Sequence, residues 1–170
     1  GSLYDAEEAI DLAQPPAEII ILTSADTEVN LLSKAAEKRA KDVNARHMRI
    51  ANYLSLTHPY SVDLYLQKTA KYAKMIVVRL LGGTGYWTYG VQQLRALAET
   101  CDIKLVLLSG DGKPDPELLY LSGLDADICS SLTAYLDAGG LDNATGFLQK
   151  IDDCIDGSDK APPVRPLLRA

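Results

Sequence analysis

Within positions 58–63 the chain places His58, Tyr60, Ser61 and Asp63, side-chain types from which hydrolytic centres draw a base, a hydroxyl nucleophile and an orienting carboxylate. Their order supplies no nucleophile elbow, the Gly-x-Ser-x-Gly turn that lifts a serine above a sheet. The group therefore reads as a turn entering a helix, with Ser61 as the cap and His58 as a structural hydrogen-bond partner. A second concentration follows: Arg79, then Gly82 and Gly83, then Tyr86, Trp87 and Tyr89 before Gly90. Glycines permit close backbone approach and positive φ, aromatic faces stack on flat ligands or anchor protein partners, and a guanidinium recognises carboxylates. The competing expectation is a loop that tucks Trp87 beneath a neighbouring helix. With Asp111, which sits between Gly110 and Gly112, these residues form the candidate set for binding or interface contact: His58, Tyr60, Ser61, Arg79, Gly82, Gly83, Tyr86, Trp87, Tyr89 and Asp111. None is assigned a catalytic role.

Other chemistries lack their signatures. His47 lies between Arg46 and Arg49 and is expected to face solvent; with His58 it lacks the Glu or Cys neighbours a metal site requires. Cys101, Cys129 and Cys154 match neither a disulfide framework nor a zinc motif and read as reduced packing residues. The glycines of 83–90 do not open a helix after a first strand, as a dinucleotide fingerprint must. The segment 23–27 (TSADT) is similar to the hydroxyl-rich phosphate loop of flavodoxins, but Asp26 places a carboxylate where a helix N-terminus would receive phosphate. A phospho-receiver would need an aspartate at the end of its third strand, where Arg79 to Gly83 stand instead.

The elements that position these residues alternate. Ala17 to Leu22 (AEIIIL), Lys74 to Leu81 (KMIVVRLL) and Ile103 to Leu108 are apolar, β-branched runs typical of strands buried on both faces, and Met48 to Leu56 is a weaker one. Ala9 to Gln14 is expected as a further edge strand. Helical spacing marks Val29 to Val43, with Asp26 or Thr27 as cap, the segment after Ser61, and Val91 to Ala98. It also marks Pro116 to Leu121, a helix closed by Gly139 and Gly140, and a last one closed by Gly157. This alternation predicts an α/β fold: a three-layer, mainly parallel, flavodoxin-like sheet with helices on both faces and ligands beyond the carboxyl ends of its strands.

Length and composition agree with one such domain: 170 residues, 47% hydrophobic and 24% charged, too balanced for disorder. No apolar run is long enough to span a bilayer. The net charge of −6 is unevenly placed: the sums are −7 over 1–33, +7 over 34–113 and −6 over 114–170. Overall acidity argues against a nucleic-acid partner, while the basic middle suits an anionic ligand. Absence of a signal peptide and the cysteine usage imply a cytoplasmic location. Gly1 and Ser2 read as a cloning scar, 3–156 as the domain, and 157–170, with Pro162, Pro163 and Pro166, as an extended linker to a missing remainder.

The runs HPYSVD, RLLGG, YWTYG and GDG, in that order and spacing within 58–112, together with AIDLAQPPAEIIILTSADTE at 9–28, carry a family resemblance. The sequence resembles the N-terminal segment of the large subunit of ATP-dependent cobaltochelatase, the CobN type, related to the magnesium chelatase large subunit. The resemblance implies a larger cytosolic subunit that binds a tetrapyrrole and works with an AAA+ ATPase and its adaptor. The implied reaction is ATP-driven insertion of cobalt(II), with magnesium used through the complex, into hydrogenobyrinic acid a,c-diamide during cobalamin synthesis. No cofactor is assigned to this stretch, and the central chemistry is expected elsewhere in the subunit. Three roles stay open: a substrate-handling or domain-closing module using the strand-end loops, a scaffold that docks other domains or the ATPase partner, and a stand-alone corrinoid-binding protein. A magnesium chelatase-like subunit is the alternative parent.

Overall fold

A computed structural model describes residues 9–110 and 115–166, without the side chain of Tyr86; Asp111 of the candidate set lies outside the described residues. Four strands, β1 (Ile19–Thr23), β2 (Met48–Asn52), β3 (Met75–Leu80) and β4 (Lys104–Ser109), form one all-parallel sheet in the order β2-β1-β3-β4. Six helices connect and flank them: α1 (Asp26–Arg39), α2 (Pro59–Lys68), α3 (Thr88–Cys101), α4 (Pro116–Leu121), α5 (Ala126–Ala138) and α6 (Leu141–Asp156). The expected three-layer α/β, flavodoxin-like architecture is the observed one.

Strand alternation divides the core in two. Ile20, Leu22, Ile76, Val78, Leu105 and Leu107 pack against α2 and α3, while Ile19, Ile21, Met75, Val77, Val106 and Leu108 pack against α1, α5 and α6. A strand buried on both faces leaves no polar alternate position, which is why these runs are continuously apolar. From β1 to β2 the chain moves one way across the sheet and from β2 to β3 and β4 the other. With one handedness of crossover, that reversal carries the helices from the α1 face to the α2/α3 face. It also makes the carboxyl ends of β1 and β3 the crevice where ligands of such sheets bind.

Several local expectations are corrected. Residues 9–14 form no strand; they run as a strap over α2 and the β2 edge, where Ser61 Oγ accepts from Ile10 N at 2.6 Å and Gln14 bonds the Tyr65 hydroxyl and the Ile50 carbonyl. Ser61 is not a cap. Pro59 occupies the first helical position, where a missing N–H costs nothing, so the cap falls to His58, whose Nδ1 accepts from Tyr60 N at 3.1 Å. Ser61 then falls at the third helical position, buried. Helix α1 has no side-chain cap because Ala25 holds that position; Asp26 instead accepts from Asn52 Nδ2 at 2.8 Å. Its C-terminus comes at Arg39, earlier than the apolar spacing predicts, because Asp42 accepts from Asn44 N and begins a turn, leaving Val43 94% exposed. The second strand stops at Asn52 and continues as a 3-10 turn, Tyr53–Leu56.

Edge strands present unpaired backbone groups that must be covered. On β4, Ser122 Oγ accepts from Leu107 N at 2.9 Å and the Leu105 carbonyl accepts from Gly123 N at 2.8 Å. Residues 157–166 carry no helix or strand and are fastened to the domain by hydrogen bonds. Buried Asp153 accepts from Ser158 Oγ, Lys160 N and Ala161 N, the Tyr135 hydroxyl donates to the Pro162 carbonyl, and Asn143 and Arg165 exchange two hydrogen bonds. Among the described residues no helix is long and apolar enough to cross a membrane.

Candidate functional site

The candidate residues follow the carboxyl ends of β2 and β3, as their place in the sequence requires, but most are spent on the fold. Arg79 stands one residue before the end of β3, on the α1/α5 side, 5% exposed. Its Nη1 donates to Glu28 Oε2 at 2.7 Å, and its Nη2 to Asp137 Oδ1 at 2.5 Å and to the Gly110 carbonyl at 3.3 Å. Glu28, in the first turn of α1, also accepts from Thr23 Oγ1 at 2.7 Å. One guanidinium thus ties β3, α1, α5 and the end of β4 together, filling the crevice between β1 and β3. Two carboxylates already neutralise it, so a ligand's carboxylate at Arg79 would compete with Glu28 and Asp137. Arg79 Nε is buried with no described partner.

Trp87 is 4% exposed and stacks on Tyr53 with ring centroids 4.8 Å apart. Its Nε1 donates to the Leu56 carbonyl at 2.8 Å. The expectation of a tucked loop holds for this residue, and that of a ligand-facing indole does not. Gly90 shows why the motif closes on a glycine: a Cβ there would lie 2.1 Å from the indole ring. Tyr89 is also engaged, its hydroxyl donating to Asp63 at 2.8 Å across the α2–α3 contact; that bond, to a carboxylate that favours the protonated phenol, pushes the tyrosine's pKa up. His58 and Ser61 are the cap and strap partners already described.

Apolar side chains and bare backbone reach solvent on this edge beside polar groups such as Asp26, Thr57 and Asp137. Leu54, Tyr60, Leu81 and Leu141 are exposed, and Gly82 and Gly83 adopt φ of 87° and 82°, open only to glycine without strain. Sequence reasoning missed Leu54 and Leu81, because an apolar residue at the end of a buried run gives no sign that it faces outward.

Beside this edge a cavity of about 190 Å³ lies between β4, α4 and α5, lined by Leu107, Leu118, Cys129, Thr133 and Asp137 among others. It falls below the roughly 300–1,000 Å³ of pockets that enclose drug-sized ligands. Burial pushes the Cys129 and Cys154 thiols up, away from the thiolate a nucleophile or metal ligand needs. Among the described residues no group of three His, Cys, Asp or Glu side chains is placed to hold a metal ion.

At the opposite, amino edge, a half-buried Arg46 pairs with Asp152 at 2.9 Å, Asp156 at 2.5 Å and Glu18 at 3.7 Å. Arg39 shares Asp152, and Lys74 shares Glu18 at 3.2 Å. The Arg46 contact holds Asp156 below the usual carboxylate range.

No protein-family model matches the chain. All 170 residues align at 44% identity with the aerobic cobaltochelatase subunit CobN of a Sinorhizobium species, and 161 residues at 42% with the aerobic cobaltochelatase subunit CobN of Pseudomonas aeruginosa. The chain spans 13% of the length of each. The catalytic subunit of cobaltochelatase from Mycobacterium tuberculosis superposes over 91% of this chain and 12% of its own, with a TM-score of 0.70 at 22% identity, which shows a common fold.

Proposed function

We propose that this chain, homologous over its whole length to one part of the cobaltochelatase subunit CobN, is a non-catalytic docking domain of a large chelatase subunit. That subunit would insert cobalt(II), as substrate, into hydrogenobyrinic acid a,c-diamide during cobalamin synthesis. An AAA+ ATPase and its adaptor would supply ATP hydrolysis with magnesium, bound outside this domain. The reading is carried by 44% identity across the entire chain to a protein eight times its length, of which it covers 13%.

Insertion needs a metal-delivering ligand and a base for two pyrrole protons. The described residues offer no ligand cluster, and no unengaged base lines the cavity beside β4. Of the three roles left open, docking is favoured over substrate handling because Arg79 is neutralised within the fold and Trp87 is stacked in the core.

The test is equilibrium dialysis of hydrogenobyrinic acid a,c-diamide against the 170-residue chain and against the full-length subunit. The full-length subunit is expected to retain the macrocycle and the chain alone to retain none. Retention by the chain would overturn the docking role, and a full-length subunit that neither binds the macrocycle nor inserts cobalt would overturn the parent activity.

A further inference from the structure

The path of residues 157–166 gives the domain a direction. Helix α6 begins at the carboxyl edge, where Asn143 Nδ2 reaches the Gly139 carbonyl just beyond Asp137 and Arg79. It ends at the amino edge, where Asp152 and Asp156 meet Arg46. A free linker leaving at Gly157 would depart from that amino edge. Instead Gly157, in a left-handed conformation at φ 69°, reverses the chain, and Asp153 collects Ser158, Lys160 and Ala161. Tyr135 then holds Pro162, Val164 packs on the core, and Asn143 exchanges hydrogen bonds of 2.6 and 2.8 Å with Arg165. The backbone at Arg165 has thereby been carried along α6 to the carboxyl edge. Four exposed apolar side chains stand on that edge: Leu54 after β2, Tyr60 opening α2, Leu81 after β3 and Leu141 opening α6.

We infer that the carboxyl edge is an interdomain interface, covered by the part of the larger subunit that continues from the clasped 157–166 strut. The inference rests on reading this chain as one part of a longer subunit, and it adds which face is covered and by what. Two observations name the occupant. The relatives are far longer than this chain, which spans 13% of them, so covering polypeptide exists in that family. The strut delivers the backbone to the apolar edge with prolines at 162, 163 and 166, which limit its freedom to swing away. The amino edge, by contrast, carries the Arg46 and Lys74 ion pairs; Val43 and Tyr72 are exposed on that side, the latter beneath the Lys71 ammonium.

Hydrogen–deuterium exchange of the 170-residue chain beside the full-length subunit, both without macrocycle, tests this. Peptides over 53–61 and 80–88 are expected to exchange at least tenfold more slowly in the full-length subunit, with 41–47 at the amino edge unchanged. Leu54→Asp with Leu81→Asp in the full-length subunit is expected to remove that protection while leaving exchange within β1 and β3 intact, which separates lost docking from lost folding. Equal exchange at the carboxyl edge in both proteins, protection of the amino edge instead, or protection that appears only on adding hydrogenobyrinic acid a,c-diamide would overturn the inference. A natural reading frame ending near Ala170 would remove the reading beneath it, an outcome distinct from a long subunit with a bare carboxyl edge.

Discussion

The two edges of the sheet handle charge in opposite ways. At the amino edge Arg46, with 19% of its side chain exposed, faces acids of which Asp156 is 48% exposed. At the carboxyl edge Arg79, with 6% exposed, meets Glu28 at 19% and Asp137 at 37%. An ion pair at a wet rim gains little, because water and salt already stabilise each ion. One withdrawn from water gains little over an apolar substitute, yet is costly to break by halves. The same guanidinium–carboxylate chemistry is therefore a surface seam on one edge and a structural pin on the other. The pairs also account for the charge blocks of the sequence: Asp11, Glu18 and Glu28 from the acidic beginning, and Asp137, Asp152 and Asp156 from the acidic end, meet Lys68, Lys74, Arg79, Arg39 and Arg46 of the basic middle.

The largest effect should come from the carboxyl edge. Trp87→Ala removes the Tyr53 stack and the Leu56 hydrogen bond, and urea unfolding should show a loss of about 4 kcal/mol. A loss under about 1 kcal/mol would mean the indole does not hold that edge. Arg79→Ala leaves Glu28 and Asp137 facing each other without a cation; a loss of about 3 kcal/mol is expected, reduced somewhat by the exposure of Asp137. The part owed to Glu28 should persist in about 1 M NaCl, where the Debye length is only about 3 Å, because that pair is 6% and 19% exposed. Salt sensitivity there would erase the contrast between the edges. Gly90→Ala drives a methyl into the indole and should cost about 2 kcal/mol, with a change in the near-ultraviolet circular dichroism of the single tryptophan.

At the amino edge, Arg46→Ala should cost about 1 kcal/mol at low salt and almost nothing in high salt. The smallest effect concerns the strut. Burial works to raise the Asp153 pKa, but the hydrogen bonds from Ser158, Ala161, Gln149 and Lys160 outweigh it and hold it below the usual value. A carboxyl group lowered in the folded state stabilises fully above its unfolded pKa, and that contribution is lost as pH falls through the folded one. Acidification below the ordinary aspartate range should therefore free 158–166 to an acid-active protease before the sheet unfolds. Asp153→Asn should free it at neutral pH, and cleavage that does not depend on pH would show the clasp is held elsewhere.

The sheet was legible in the sequence because strands buried on both faces must be apolar at every position, and AEIIIL and KMIVVRLL say so directly. Helix ends marked by Gly139 and Gly157 were legible for the same local reason, a backbone turn that few other residues enter. The candidate site was legible only as a list. His58, Ser61, Arg79, Trp87 and Tyr89 carry the same letters whether they face a ligand or a neighbour, and each found a neighbour: Tyr60 N, Ile10, Glu28 with Asp137, Tyr53, and Asp63. Those partners lie up to 58 positions away, beyond what periodicity or local motif reports. Local pattern predicts an edge strand for 9–14 and an extended linker for 157–170, because propensity records a segment's own preferences and not the groove waiting for it.

By itself the sequence determined the layered α/β fold and the family resemblance, since both rest on local pattern and on ordered runs such as HPYSVD and RLLGG. The tertiary structure alone decided that Arg79 is bridged to Glu28 and Asp137, that Trp87 is core, and that the proline-rich end returns to the carboxyl edge. Those outcomes depend on which distant charges, rings and carbonyls meet, and on how much water their meeting excludes.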